Sequence, residues 1–154
     1  MTIEPLAPYL EPLRKSLAVG LPPGQAFELF TAGLGRWWPL RTHSVFQERA
    51  ATCGLEPRVG GALFEQRDDG ARSLCGTVLI WERPRLFVVS WHPGREPETA
   101  QEVEVRFVAE GAGTRVELEH RGWQRLGAAA SESRAGYDQG WEGVLAIYVE
   151  ACRG

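Results

Sequence analysis

Histidine and cysteine are the side chains of this sequence best suited to hold a metal ion or to act as acid, base or nucleophile near neutral pH. The three histidines and three cysteines lie far apart, at His43, His92 and His120 and at Cys53, Cys75 and Cys152. They form no Cys-x-x-Cys pair and show no zinc-site spacing. His-Glu-x-x-His, nucleophile-elbow and phosphate-binding glycine motifs are also absent from the sequence. We therefore expect no metal site, no cofactor and no catalytic residue, and enzyme activity is not favoured.

His120 is the histidine best placed for chemistry. In a hairpin that turns at Gly111-Ala112 it faces Val103, on the apolar side of the strand pair. An inward histidine near a strand end could bind a polar group of a ligand or act as a general base. More commonly, such a residue is hydrogen-bonded within the core. The sequence leaves both roles open.

Charged residues near the Gly60-Gly61 turn are the next candidates. Glu56, Arg58 and Glu65 flank this turn. If Glu56 and Arg58 pointed inward they would pair and orient a polar ligand. On an exposed strand they would have no such role.

Aromatic side chains are abundant, with six tryptophans and six phenylalanines in 154 residues. Trp91 alternates with Phe87 and Val89 along one strand, and Trp141 lies on the apolar stripe of the last helix. We expect these rings to meet inside the protein, either as plain core packing or around a cavity. The expected cavity-lining residues, which would bind the ligand, are Trp38, Phe64, Trp91, Phe107, His120, Tyr137, Trp141 and Tyr148.

The elements that position these residues follow from periodicity. Residues 13–19 alternate like a strand, and Ala26, Phe27, Phe30 and Leu34 have helical spacing. Residues 51–121 predict six strands in a meander, with the first ending at Val59. The intervening turns are marked by Gly60-Gly61, Asp69-Gly70, Arg83-Pro84, Pro93-Gly94 and Glu110–Gly113.

The last predicted hairpin can be tested by its charges. A turn at Gly111-Ala112 puts apolar residues on one face and mostly matched opposite charges on the other. The predicted pairs are Phe107 with Val116, Val105 with Leu118, Val103 with His120, Arg106 with Glu117, Glu102 with Arg121 and, unfavourably, Glu104 with Glu119.

After Gly127 the pattern predicts one long helix. Its apolar stripe runs through Tyr137, Trp141, Val144, Leu145, Tyr148 and Cys152. Gly136, Gly140 and Gly143 repeat along a neighbouring stripe, and each costs about 1 kcal/mol against alanine in a helix. They indicate close approach to the sheet, space left free beside the aromatic rings, or simply a poor helix-forming sequence.

The order strand, short helices, meander and long helix predicts an α+β domain, with a curved antiparallel sheet around the C-terminal helix. We expect an N-terminal tail at residues 1–11 and one domain at 12–154. The net charge of −3, with interspersed basic residues, argues against nucleic-acid binding. No run of residues is long and apolar enough to span a membrane, and the odd number of scattered cysteines favours a cytoplasmic location.

Several segments together resemble the START-like (SRPBCC) superfamily, whose helix-grip fold matches this expectation. They are Phe27-x-x-Phe30, Trp37-Trp38-Pro39 and Glu56 to Gly61. Gly76-Thr77-Val78, Pro84-x-Leu86, Trp91, Glu117 to Trp123 and Gly140-Trp141 resemble its branch named for activators of a heat-shock-protein ATPase. The resemblance spans residues 12–153 and implies a domain that hosts several different functions.

Three functions follow as hypotheses. The first is binding of a small apolar or amphipathic molecule between sheet and helix, without a nucleic-acid or membrane partner. The second, implied by the branch name alone, is a stress-response or co-chaperone-like role with a chaperone partner. The third is a cyclase- or dehydratase-type enzyme in which His120 works with an acidic partner inside the cavity.

Overall fold

Seven antiparallel strands form one curled sheet in the computed structural model, which describes residues 9–154. The strands are β1 (Leu13–Val19), β2 (Ala50–Leu55), β3 (Ala62–Arg67), β4 (Arg72–Glu82), β5 (Leu86–Trp91), β6 (Gln101–Glu110) and β7 (Gly113–Arg121). Their order across the sheet is β1-β7-β6-β5-β4-β3-β2, so β2 to β7 form the predicted six-strand meander. Residues 1–8 of the expected tail lie outside the described residues.

Three helices complete the fold. They are α1 (Pro23–Phe30), α2 (Leu34–Trp37) and α3 (Ala130–Arg153), and 3₁₀ turns lie at Gln47–Arg49, Pro97–Thr99 and Trp123–Ala129. The chain leaves β7 through Gly122 and bends again at Gly127, and both have positive φ angles that glycine adopts without a steric penalty. Helix α3 then crosses the sheet, which confirms the α+β helix-grip fold.

The curl of the sheet has a local cause. The pairing register shifts within β2–β3, β3–β4 and β4–β5, near Ala50, Leu63 and Val78. Such irregularities bend a strand and increase its twist. At Gly76 a β carbon would lie 1.8 Å from the carbonyl oxygen of Ser90, so only glycine permits this close strand contact. The bent half of the sheet wraps toward α3 and leaves space there.

The predicted β6–β7 register is confirmed at all six pairs, including the unfavourable Glu104–Glu119 pair. Arg121 resolves the repulsion between the two carboxylates. Its Nη1 donates to Glu104 Oε1 at 3.1 Å and to Glu119 Oε2 at 2.9 Å, while its Nε donates to Glu102 Oε1 at 3.2 Å. The outer face of this hairpin is therefore a connected charge network.

Two local expectations differ from the structure. Strand β2 ends at Leu55, not at Val59, because residues 56–61 form a turn in which Val59 is 65% exposed. Pro57 lies in this turn and has no N–H group to continue the ladder. On α3, a β carbon at Gly136, Gly140 or Gly143 would meet no atom within 4 Å, so these glycines do not mark close approach to the sheet.

The core lies between the concave face of the sheet and the helices. Trp37, Trp123, Trp141 and Tyr148 are all buried in it. Among residues 9–154, no helix has the length and hydropathy needed to cross a bilayer.

Candidate functional site

A cavity of about 230 Å³ lies between the sheet and the middle of α3. Strands β2 to β6 supply one wall, and α3 supplies the other through Tyr137, Gly140, Trp141 and Val144. The walls are almost wholly apolar. We place the mouth where the lining reaches the surface, in the two loops that precede β2 and follow β5. His43 is exposed there, and Ser44, Val45 and Pro93 are partly exposed.

Five of the eight residues expected at a cavity do line it, namely Trp38, Phe64, Trp91, Tyr137 and Trp141. The tryptophans form one cluster, with ring centroids 5.3 Å apart for Trp91–Trp141 and 6.1 Å apart for Trp38–Trp91 and Trp38–Trp141. Phe64 lies at the β3 side, with the Arg72 guanidinium 4.0 Å from its ring centre. The three tryptophan rings are inclined to one another by 46° to 77°, so the cavity has an aromatic wall made of tilted faces and edges.

Two aromatic residues expected at the cavity lie elsewhere. Phe107 packs edge-on against Phe27 of α1, and Tyr148 packs against Phe30 with its hydroxyl donating to the Ala26 carbonyl at 2.7 Å. Both rings are buried beneath α1, which fills that end of the sheet. Helix α1 borders the cavity only through Phe30, its last residue.

His120 is also absent from the cavity lining, because it is held inside a hydrogen-bonded core network. Trp141 Nε1 donates to its Nδ1 at 3.0 Å, so its Nε2 carries the proton and faces Gln101 Oε1 at 3.2 Å. Trp123 stacks on the imidazole with centroids 4.0 Å apart. Burial lowers the pKa of His120 to about 3, so the ring stays neutral. No carboxylate or hydroxyl is hydrogen-bonded to it among the described residues.

Tyr137 is a polar group of the cavity wall. Its hydroxyl accepts a hydrogen bond from Trp91 Nε1 at 3.0 Å, which leaves the phenolic O–H available as a donor. Burial raises the pKa of Tyr137, so the phenol remains protonated at neutral pH. A ligand carbonyl or ether oxygen could accept a hydrogen bond from this O–H group.

Glu65 is the acidic residue of the wall, and it is only 6% exposed. Its Oε2 accepts from the Val45 backbone N–H at 3.1 Å and from the Cys75 thiol at 3.6 Å. Burial and the nearby Glu65 charge raise the pKa of the Cys53 and Cys75 thiols to about 12, so neither is a thiolate near neutral pH. The two cysteines act here as small apolar wall residues.

The sequence marks Glu65 only as a charged residue near the Gly60-Gly61 turn, and neither it nor the cysteines were expected in the cavity wall, although the alternation along the strands contained that information. Leu63 and Glu65 share one parity on β3, and Cys53 lies directly opposite Glu65 on β2. The turn residues Glu56 and Arg58 instead pair with each other at 3.6 Å, with Arg58 exposed, and neither lines the cavity. Among residues 9–154, no three His, Cys, Asp or Glu side chains converge as around a metal ion.

Comparison with protein families gives a match over most of the chain. The family described as activator of Hsp90 ATPase homolog 1-like protein matches residues 21–150. Comparison with the curated proteins gives no match.

Solved structures give many matches. An anthrahydroquino-gamma-pyrone synthase, Txn09, is 31% identical, with a TM-score of 0.64 over 92% of this chain and 97% of that chain. CalC, a self-sacrificing resistance protein from Micromonospora echinospora, is 27% identical, with a TM-score of 0.65 over 92% and 93%. The Aha1 dimer from Colwellia psychrerythraea is 16% identical, with a TM-score of 0.66 over 93% and 96%, and supports the fold alone.

Proposed function

Because this chain belongs to the activator of Hsp90 ATPase homolog 1-like protein family, we propose that it binds a small, largely apolar aromatic molecule between its sheet and α3. The observation that carries the proposal is the apolar space of about 230 Å³ walled by Trp38, Trp91 and Trp141. Aromatic rings pack favourably on one another in offset or edge-to-face arrangements. An aromatic ligand can stack on one of these inclined rings and meet another edge-on, which a flexible alkyl chain cannot do.

The volume bounds the ligand. An engineered apolar cavity of about 150 Å³ binds benzene, and pockets for drug-sized molecules begin at about 300 Å³. A space of about 230 Å³ therefore suits a core of about two fused rings.

One of the similar proteins supports an aromatic ligand. Txn09 is named for an anthrahydroquino-gamma-pyrone, whereas the description of CalC as a resistance protein names no ligand. Their identities of 31% and 27% extend over nearly the whole chain. We propose that this chain binds a fused aromatic ring system in its own cavity, a class of compound that the name of Txn09 also contains.

The test compares two glycines of α3, one in the cavity wall and one on the exposed face of the helix. Gly140 lines the cavity and Gly143 is exposed, and neither has an atom within 4 Å of its β-carbon position. Gly140→Leu should place an isobutyl group in the cavity, whereas Gly143→Leu should place the same group in solvent. Both changes favour the helix by up to about 1 kcal/mol, so neither should unfold the domain.

Titration with naphthalene, followed by tryptophan fluorescence, reads out the result. We expect wild type and Gly143→Leu to bind equally, and Gly140→Leu to bind at least about tenfold more weakly, a difference of about 1.4 kcal/mol. A wild-type protein that does not bind naphthalene, or a Gly140→Leu variant that binds it as well as wild type, would overturn the proposal.

An enzymatic role is the second candidate, because the 31% identical relative is named a synthase. Among residues 9–154, His120 has no hydrogen-bonded acidic partner, and it does not line the cavity, so the hypothesis that it acts as a base is dropped. The groups of the lining left for proton transfer include His43, Glu65 and Tyr137. Incubation with a hydroxylated anthraquinone, followed by mass spectrometry, tests this role. Recovery of the compound unchanged, after binding has been demonstrated, would exclude turnover of that compound.

A chaperone partner is the third candidate and is supported by the family description alone. If this chain activates an Hsp90-class ATPase, adding it to the purified chaperone should raise the rate of ATP hydrolysis. An unchanged rate at a large molar excess of this chain would end this candidate.

A further inference from the structure

Glu65 places a carboxylate in a wall that is otherwise almost wholly apolar. Burying a charge is costly unless it is paired and hydrogen-bonded. Among the ion pairs of the described residues, none involves Glu65, although Arg67 and Arg72 lie close in sequence. The site therefore holds a buried acid without a cationic partner.

The two oxygens of this carboxylate are used unequally. Oε2 accepts from the Val45 N–H and the Cys75 thiol, and a thiol is a weak donor. Oε1 is inaccessible to solvent, and no N–H or O–H group of residues 9–154 reaches it. A carboxylate can accept about four hydrogen bonds, so this one has unused capacity at a cavity wall.

We infer that Glu65 is the polar anchor of the site, where it accepts a hydrogen bond from a hydroxyl group on an otherwise apolar aromatic ligand. This inference rests on the proposed binding function and specifies its ligand class. The terminal torsion of a glutamate is broad, so a small rotation can turn Oε1 toward a donor in the cavity. A hydroxyl group offers one O–H donor, and Glu65 Oε1 is the one carboxylate oxygen that has no hydrogen-bond donor among the described residues.

The same geometry disfavours charged ligands. A carboxylate or phosphate ligand would meet the Glu65 charge in a low-dielectric space, where like charges repel strongly. An ammonium group has three N–H donors, and the apolar walls would leave two of them without acceptors at considerable cost. The site should therefore select a neutral phenol-like group over both anions and primary amines.

Four probes of one ring system test this selection in wild-type protein. They are naphthalene, 2-naphthol, 2-naphthoate and 2-(aminomethyl)naphthalene, titrated at pH 7 by isothermal calorimetry. We expect 2-naphthol to bind about tenfold more tightly than naphthalene, because a hydrogen bond to a charged acceptor is worth that much or more. We expect 2-naphthoate and the amine to bind more weakly than naphthalene.

Glu65→Gln removes the charge and keeps the shape, and Glu56→Gln is the matched control at a carboxylate outside the cavity. Glu65→Gln should bind 2-naphthol about tenfold more weakly than wild type does. Its affinity for naphthalene should stay within about twofold of the wild-type value, and its affinity for 2-naphthoate should rise. A gain of 2-naphthoate binding cannot come from misfolding. Glu56→Gln should match wild type in all titrations.

The outcomes separate this inference from the proposed function. Wild type that binds naphthalene and 2-naphthol equally overturns the role of Glu65 and leaves the binding function intact. If the amine or 2-naphthoate binds to wild type as tightly as 2-naphthol, the role of Glu65 is likewise overturned and the binding function is left intact. Wild type that binds none of the four overturns both. If Glu65→Gln fails to fold, the wild-type order of affinities still decides.

Discussion

Trp141 belongs both to the core and to the cavity wall, and replacing it by alanine tests how much of the fold depends on this one ring. It is 3% exposed and contacts Trp38, Trp91 and His120. Removing a buried tryptophan typically costs about 3 to 5 kcal/mol. The space left behind would join the existing cavity, so we do not expect a larger loss. Trp141→Ala should lower the free energy of unfolding by about that amount.

Trp141→Phe divides this cost into packing and hydrogen bonding. It keeps an aromatic ring but removes the Nε1–H that donates to His120 Nδ1 at 3.0 Å. A buried acceptor left without its donor costs about 1 to 3 kcal/mol. We therefore expect the phenylalanine variant to lie between wild type and the alanine variant. His120 would then be a buried polar residue that has lost one of its two partners.

Urea denaturation at pH 7, followed by far-UV circular dichroism, measures both variants without relying on tryptophan fluorescence. The free energy of unfolding comes from the midpoint and slope of each curve. If Trp141→Ala cost less than about 1 kcal/mol, the packing assigned to this face of α3 would be wrong. If the phenylalanine and alanine variants were equally unstable, the hydrogen bond to His120 would account for the whole loss.

Two further predictions concern the polar interior and the outer face. Burial lowers the pKa of His120 from 6.5 to about 3 in the native state. Below pH 6.5 the unfolded chain therefore binds a proton at His120 that the native state does not bind. Stability should therefore fall as the pH falls, by about 2 kcal/mol between pH 7 and 5, and a His120→Gln variant that kept the same pH dependence in urea titrations would contradict this. Arg121→Met should destabilise the domain by up to about 1 kcal/mol, because it removes the guanidinium that bridges the facing carboxylates of Glu104 and Glu119. Each carboxylate would keep one other partner, Arg106 for Glu104 and Arg14 for Glu119. Adding Glu119→Gln should recover part of that loss in thermal unfolding, and no recovery would show that the repulsion is unimportant.

The hairpin of β6 and β7 could be predicted to the residue because two independent patterns fixed it. Apolar residues alternate on one face and charged residues on the other, and only one turn position sorts both. The same reasoning failed at Val59, where an apolar residue lies in an exposed turn. Local alternation there competes with Pro57, whose missing N–H ends the strand.

The cavity could be predicted only in part, because parity tells which side chains point inward and not what they meet there. Phe107, Tyr148 and Trp91 all point into the interior. Helix α1 covers the first two, and how far α1 reaches across the sheet depends on packing of its own Phe27 and Phe30. No sequence period contains that information.

The role of Glu65 was harder to predict because its hydrogen-bond partners are distant in sequence and belong to no recognisable motif. Its contact with the Val45 N–H joins residues twenty apart across a loop that has no regular periodicity. His120 illustrates the opposite case. That its side chain points inward was predictable. That both ring nitrogens are occupied was not, because the hydrogen bonds come from Gln101 and Trp141, which lie on other elements.

Gly140 also bears on how such a protein can change over time. The residue sits in the helix wall of the cavity, with no atom near its missing side chain. Alanine, serine, valine or leucine at this one position would reduce the interior step by step without disturbing the sheet, the aromatic cluster or the mouth. Helix propensity would partly offset the loss of space, because most residues favour a helix more than glycine does. The volume of the site can thus be altered by single substitutions that leave the fold untouched, and ligand preference can diverge among descendants faster than architecture.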